Sequence, residues 1–95
     1  MGENDWSQWL DFTREQIGQV PELPGVFISH ASMKILKIGG ASNLRIELGR
    51  LLDDACCNKS KRFKYLLTES FESESERLVR EYAEKHAGKL PECMQ

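Results

Sequence analysis

Gly25-Val26-Phe27-Ile28-Ser29-His30, then Ala31-Ser32-Met33, then Lys34-Ile35-Leu36-Lys37-Ile38-Gly39-Gly40 is the stretch that decides the fold. The two outer runs are rich in β-branched and aromatic residues. A gap of three to four residues between them predicts an antiparallel hairpin with a short turn at 31–33. The glycine pair that ends the second run marks a place where the backbone turns sharply or approaches something closely. Directly afterwards, Ser42 or Asn43 offers an N-cap. Leu44, Leu48, Leu51, Leu52 and Ala55 then repeat at i, i+4, i+7, i+8 and i+11, which predicts a helix with one apolar stripe.

Outward from this centre, Val20-Pro21-Glu22-Leu23-Pro24-Gly25 forms a stiff connector, because each proline disfavours helix at the residue before it. Upstream, Asp5 with Gln8 three residues later has the form of a capping box, and Trp6, Trp9, Leu10 and Ile17 follow at helical spacing. A first helix over 5–18 is expected, preceded by a frayed end at 1–4. Downstream, Asn58-Lys59-Ser60-Lys61-Arg62 reads as a basic loop. Arg62-Phe63-Lys64-Tyr65-Leu66-Leu67-Thr68 reads as a third strand with Phe63, Tyr65 and Leu67 on one face. Ser73 with Glu76 makes a capping box for a long helix that turns Leu78, Val79, Tyr82, Ala83 and His86 inward. Gly88 supplies a left-handed stop and Pro91 prevents resumption. The expected order is α-β-β-α-β-α, an α+β domain around a small three-stranded antiparallel sheet. The organisation expected is an N-terminal helix over 1–19 followed by a domain over 20–95, compact as one unit.

Composition narrows the function classes. The 95 residues carry 13 Lys plus Arg against 15 Asp plus Glu, a net charge of −2. Hydrophobic residues are 40% and charged residues 29%, too apolar for a disordered chain. The mild acidic balance argues against an indiscriminate nucleic-acid or membrane binder, while a local basic patch stays compatible with it. No run of 18 apolar residues is present, and the first residues lack an apolar stretch of signal-peptide length, so a cytoplasmic location is expected. Cys56, Cys57 and Cys93 are odd in number and two are adjacent, so no disulfide framework is expected. Together with His86 they match no closed zinc spacing.

Gly25-Val26-Phe27 opening the hairpin, Ile38-Gly39 closing it, Ser42-Asn43-Leu44-Arg45 starting a helix, and Glu81 on a helix that ends in Gly88-Lys89-Leu90-Pro91 together resemble the GIY-YIG nuclease domain. The likeness covers about residues 20–91 and lies in the order and spacing of short motifs. It implies a three-stranded antiparallel sheet flanked by helices, and phosphodiester hydrolysis with one divalent metal. In that family a tyrosine of the second motif helps activate water. An arginine about ten residues later stabilises the phosphate, and a glutamate on the last long helix binds the metal. Such chemistry needs a fixed cation and a metal because negative charge builds on the phosphoryl oxygens.

Position by position, the resemblance places Phe27 at the first-motif tyrosine, Lys37 at the second-motif tyrosine, Glu47 at the arginine and Glu81 at the metal-binding glutamate. Glu92 stands where an asparagine often follows the terminal proline. Arginine to glutamate changes the local charge by two units, and loss of one preorganised donor alone costs about 2.7–4 kcal/mol of barrier. The resemblance therefore implies a domain that keeps the fold, with impaired or absent hydrolysis, and acts as a nucleic-acid- or protein-binding module. Two alternatives stand beside it: an active endonuclease using Mg²⁺ or Mn²⁺ with substituted residues, and an interaction domain with no nucleic-acid role. No cofactor is expected unless cleavage survives. Glu81 is the candidate metal ligand, alone or with Glu47, against the plainer reading of a helix face with Arg77–Glu81 and Glu81–Lys85 pairs. Lys37 and Glu47 are expected to pair across the cleft.

Candidate nucleic-acid contacts are Lys37, Arg45, Arg50, Lys59, Lys61, Arg62 and Lys64, with DNA or RNA as the partner. Arg45 and Arg50 flank Glu47 as candidate substitutes for the missing arginine. Trp6 and Trp9 are expected in the core of the first helix, or as an aromatic anchor for a protein partner or a homodimer.

Overall fold

The computed structural model describes residues 6–94. Within them the chain forms β1 (Leu10–Asp11), α1 (Arg14–Ile17), β2 (Gly25–Ala31), β3 (Lys34–Ala41), α2 (Leu44–Leu51), β4 (Arg62–Leu67) and α3 (Phe71–Lys85). Short 3-10 turns follow α2 and α3 at Cys57–Lys59 and Glu92–Met94. The fold is α+β, and its antiparallel sheet has four strands in the order β1-β4-β2-β3, one more than expected.

The hairpin forms where expected. Gly25 pairs with Ala41 and Phe27 with Gly39, and Ser32 takes the positive φ of 56° that its tight turn demands. The register divides the side chains. Phe27, Ser29, Lys37, Gly39, Phe63 and Tyr65 share one face, while Val26, Ile28, His30, Ile38, Arg62, Lys64 and Leu66 share the other. Against the first face pack α1 and α2, giving a core of Phe12, Ile17, Val20, Phe27, Leu44, Leu48, Leu51, Cys57 and Phe63. The second face carries α3, whose contacts fall on β3 and β2.

Asn43 caps α2, its Oδ1 accepting from the Ile46 N–H at 3.2 Å. The apolar stripe is buried at Leu44, Leu48 and Leu51; the helix stops there, leaving Ala55 exposed in the following loop. Gly25 lies under this helix: a Cβ would sit 2.4 Å from the Leu66 carbonyl oxygen and 2.5 Å from Leu44 Cδ1. Gly40 does the same for α3, where a Cβ would come within 2.6 Å of the Phe71 carbonyl oxygen.

Three expectations are corrected. There is no helix through Trp6, Trp9 and Leu10. Ser7 N–H donates to the Tyr65 carbonyl at 2.9 Å, Leu10 pairs with Phe63 and Asp11 with Arg62, so this segment is an edge strand along β4. Only the turn Arg14–Ile17 is helical, capped by Thr13, whose side chain accepts from Gln16 N–H. The open edge of β4 offers more backbone hydrogen bonds than one helical turn does, and it wins. Asp5 and the frayed end at 1–4 lie outside the described residues.

At α3, the N-cap lies three residues before the expected one. Ser70 is the N-cap and Ser73 sits inside the helix, its Oγ donating to the Ser70 carbonyl. His86, expected inward, is the exposed C-cap. Gly88 does take the left-handed φ of 84°.

The third correction is at the cysteines. Cys56 and Cys93 form a disulfide with a Cα–Cα distance of 5.7 Å, and Cys57 is free and buried. The bridge exists because the chain after α3 returns across the outer edge of β3. There Met94 Sδ accepts from the Ile38 N–H at 3.5 Å, and Cys93 arrives beside the loop that follows α2. The zinc alternative loses two of its four groups to this bond, and His86 stacks on Tyr82 with ring centroids 3.8 Å apart.

Candidate functional site

Phe27 is fully buried, with its ring against Gly39 on the face that carries α2. It is a core residue and presents no polar group to solvent. Lys37 is on the same face of β3, opposite Ser29. It lies within electrostatic reach of Asp54 and Cys57, and Glu47 of α2 also acts on Cys57. These four residues lie where β3, α2 and the loop that follows α2 come within electrostatic reach of one another.

The expected Lys37–Glu47 pair is not formed among the described residues. Glu47 Oε1 instead takes Arg50 NH1 at 2.6 Å, one turn along α2. The i,i+3 spacing makes that partner local and cheap in entropy, while Lys37 must reach across from the sheet. Asp54 Oδ1 accepts from the backbone N–H groups of Cys56 and Cys57 at 2.9 and 3.0 Å. Those two bonds hold its carboxyl below the usual value, with a smaller contribution from Lys37. Burial pushes the Cys57 thiol pKa up, Asp54 and Glu47 push it further, and Lys37 opposes them. With Arg50 paired to Glu47, this corner sets two carboxylates, Asp54 and Glu47, against two cations, Lys37 and Arg50.

Glu81 does not join this group. It is on an exposed face of α3, and its Oε2 accepts from Arg77 NH1 at 2.7 Å while Arg77 also holds Glu74 at 2.6 Å. These contacts raise the Arg77 pKa above its ordinary value. Glu81 borders a depression of about 210 Å³ with Ile28, Leu78 and Tyr82, whereas Lys37 borders another of about 510 Å³ with Ile38, Val79, Ala83 and Met94. No group of three or more His, Cys, Asp or Glu suited to a metal ion occurs among the described residues. A divalent cation at Glu81 would have to displace a guanidinium that already neutralises it, so this donor set does not fit a metal. The plainer reading of Glu81, a helix-face ion pair, is the one realised with Arg77.

The cations also separate. Arg45 Nε donates to the Val20 carbonyl at 2.8 Å and its NH1 meets Glu22 at 3.1 Å, so it ties α2 to the proline connector. Arg50 holds Glu47. Neither is an unengaged cation that replaces the missing arginine. Arg62 faces Asp11 at 3.3 Å, and Lys59 and Lys61 are exposed on the approach to β4. Lys64 Nζ lies 4.9 Å from the ring centroids of both Trp6 and Trp9. Trp9 also meets His30 edge-on at 4.4 Å. The sequence pointed to these cations and to the two tryptophans separately, and missed that they meet. The signal for that meeting was the alternation Arg62, Lys64, Leu66 along β4, which needed β1 as a neighbour to become visible.

Solved structures similar to this one are of the GIY-YIG N-terminal endonuclease domain of UvrC from Thermotoga maritima. The form bound to magnesium as its catalytic divalent cation has a TM-score of 0.61 and 22% identity, covering 84% of this chain and 92% of that one. A tyrosine-to-phenylalanine mutant bound to the catalytic cation matches with 23% identity, a TM-score of 0.61, and 84% and 91% coverage. An asparagine-to-alanine mutant matches at 22% identity with the same TM-score and coverages. At such identities the likeness is one of fold, and it supports the GIY-YIG-like architecture read from the motifs. No curated protein matches this chain. A family model described as "Domain of unknown function (DUF7508)" matches residues 6–85, and the chain belongs to that family.

Proposed function

We propose that this GIY-YIG-like domain is a nucleic-acid-binding module that does not hydrolyse phosphodiesters. One observation carries the reading: the resemblance puts Glu47 where the family has its phosphate-stabilising arginine, and the Glu47 carboxylate already engages the nearest guanidinium, that of Arg50, at 2.6 Å. A phosphoryl group gaining charge there would meet a carboxylate and a guanidinium already paired, where catalysis needs an unengaged fixed cation. Phe27 has no hydroxyl to position water, and Lys37 offers no phenolic hydroxyl at the second-motif position that the resemblance implies. Glu81 is held by Arg77. No catalytic step follows from this set.

Binding is supported by Lys59, Lys61, Arg62 and Lys64, four cations within six residues of a chain that is acidic overall. Patches of this kind attract phosphates through counterion release. The UvrC domain with the similar fold is an endonuclease domain, and DNA or RNA is the partner class proposed for this chain. A cytoplasmic site of action belongs to the same proposal. What is shown on that point is that no helix among the described residues is long and apolar enough to cross a membrane.

The test incubates purified protein with Mg²⁺ or Mn²⁺ and with single- and double-stranded DNA and RNA. The expected result is binding at low salt without cleavage of any substrate. Cutting that Glu81→Ala abolishes would overturn the reading in favour of an active endonuclease. Absence of binding to every nucleic acid at low salt would overturn it in favour of a protein-interaction domain.

A further inference from the structure

We infer that the part of the sheet beyond α3 is a stacking platform for single-stranded nucleic acid. This deepens the nucleic-acid reading above and rests on it, adding the face and the strandedness. The contacts of α3 fall on β3 and β2. On the same side, β4 and β1 present Arg62, Lys64 and Asp11, with His30 of β2 beside them and Trp9 above. Trp9 is 39% exposed although it is the largest type of apolar side chain. Lys64 is drawn between the faces of Trp6 and Trp9, which fixes both rings beside a cation.

The charge balance on this face suits an anion. Asp11 is the one carboxylate that β1, β4 and β2 place there, and Arg62 neutralises it at 3.3 Å, leaving Lys64 in excess, with Lys59 and Lys61 on the approaching loop. Aromatic rings interleaved with cations on a sheet face are what unpaired bases and their phosphates require. Duplex DNA meets the cations but keeps its bases stacked on each other and away from the indoles. An acidic peptide meets the cations and has no flat ring systems to lay on Trp9. Six residues of β4 at about 3.3 Å each span roughly 20 Å, enough for a few nucleotides of extended strand.

Both tryptophans of the chain are in this cluster, so intrinsic tryptophan fluorescence reads this surface alone. The experiment titrates the full chain at low salt with oligothymidylate of roughly eight nucleotides, the corresponding duplex and oligoglutamate, reading quenching together with anisotropy of labelled ligand. Oligothymidylate is expected to quench, and the duplex to bind more weakly without quenching. Trp9→Ala is expected to weaken oligothymidylate by about tenfold or more, and Trp9→Phe to restore most of it. Arg62→Gln, which keeps both rings, is expected to lower affinity and flatten the salt dependence.

Binding seen by anisotropy with no quenching, and with Trp9→Ala and Arg62→Gln unchanged, would overturn the platform while leaving the nucleic-acid reading intact. No binding to any nucleic acid would remove both. Quenching by oligoglutamate as strong as that by oligothymidylate would assign the face to acidic protein segments and overturn the inference.

Discussion

The Cys56–Cys93 bridge offers the sharpest test of how the C-terminal segment is held. The two residues are 37 apart in sequence. In the chain-entropy description, a crosslink closing a loop of that length removes about 13 cal/mol/K from the unfolded ensemble, or about 4 kcal/mol at 25 °C. That is a large part of the 5–15 kcal/mol typical of a domain. Cys56→Ser with Cys93→Ser should therefore lower the urea midpoint sharply and raise the m-value, because the unfolded chain expands when the loop is released. Far-UV circular dichroism against urea, with and without dithiothreitol, measures this. Wild type should fall to the level of the double variant on reduction, and the double variant should not respond. Thiol titration of unreduced, denatured protein should find one reactive group, since three cysteines less two leaves Cys57. A loss under about 1 kcal/mol, or three titratable thiols, would refute the argument that this bridge pins residues 92–94 to the edge of β3.

Three further outcomes follow from local geometry. Gly40→Ala should destabilise the fold by about 1–3 kcal/mol in thermal or urea unfolding, because the added Cβ meets the Phe71 backbone and pushes the start of α3 away. Asp54 has a folded pKa below its ordinary 3.8, so its contribution is complete above that value and is lost as pH falls through the lower folded one. Urea midpoints measured on acidification should drop more steeply for wild type than for Asp54→Asn. Glu47→Gln frees Arg50 from its 2.6 Å partner. If nucleic acid reaches α2, the plot of log binding constant against log salt should then steepen by about 0.7 for a single strand, and an unchanged slope would keep nucleic acid off that helix.

The hairpin and α2 were legible because their signals are local. The turn residues, the Asn43 cap and the Leu44, Leu48, Leu51 stripe each act within a few positions. The N-terminal segment was illegible for the opposite reason. Trp6, Trp9 and Leu10 fit helical spacing over so short a run that periodicity cannot separate helix from strand. The decision came from β4, more than fifty residues away, whose open edge takes Ser7, Leu10 and Asp11. The disulfide escaped for a similar reason. The adjacency of Cys56 and Cys57 argues against a bond between those two only, and says nothing of Cys93, which the return after α3 brings back. At the site, the family resemblance named Lys37, Glu47 and Glu81; the plainer reading gave Glu81 its partner Arg77, while Glu47, expected to pair with Lys37, takes Arg50 instead. Arg50 and Arg77 capture the two glutamates through i,i+3 and i,i+4 contacts that outcompete partners across the cleft.

That capture bears on the proposal that this fold is kept without hydrolysis. The residues that hold it together are Gly25, Gly40, Phe27, Leu44, Leu48 and Phe63, all placed by contacts inside the sheet and its helices. Lys37, Glu47 and Glu81 lie at partly or fully solvated positions, where exchanging one charge for another changes stability little. Only Phe27 belongs to both sets, and at that fully buried position a tyrosine's hydroxyl would need a partner that phenylalanine does not. On the proposed reading, then, selection for phosphodiester chemistry and selection for this architecture act on nearly separate residues. The first can lapse at little cost to the second, and the face of the sheet that Trp9 and Lys64 occupy is free to bind on its own terms.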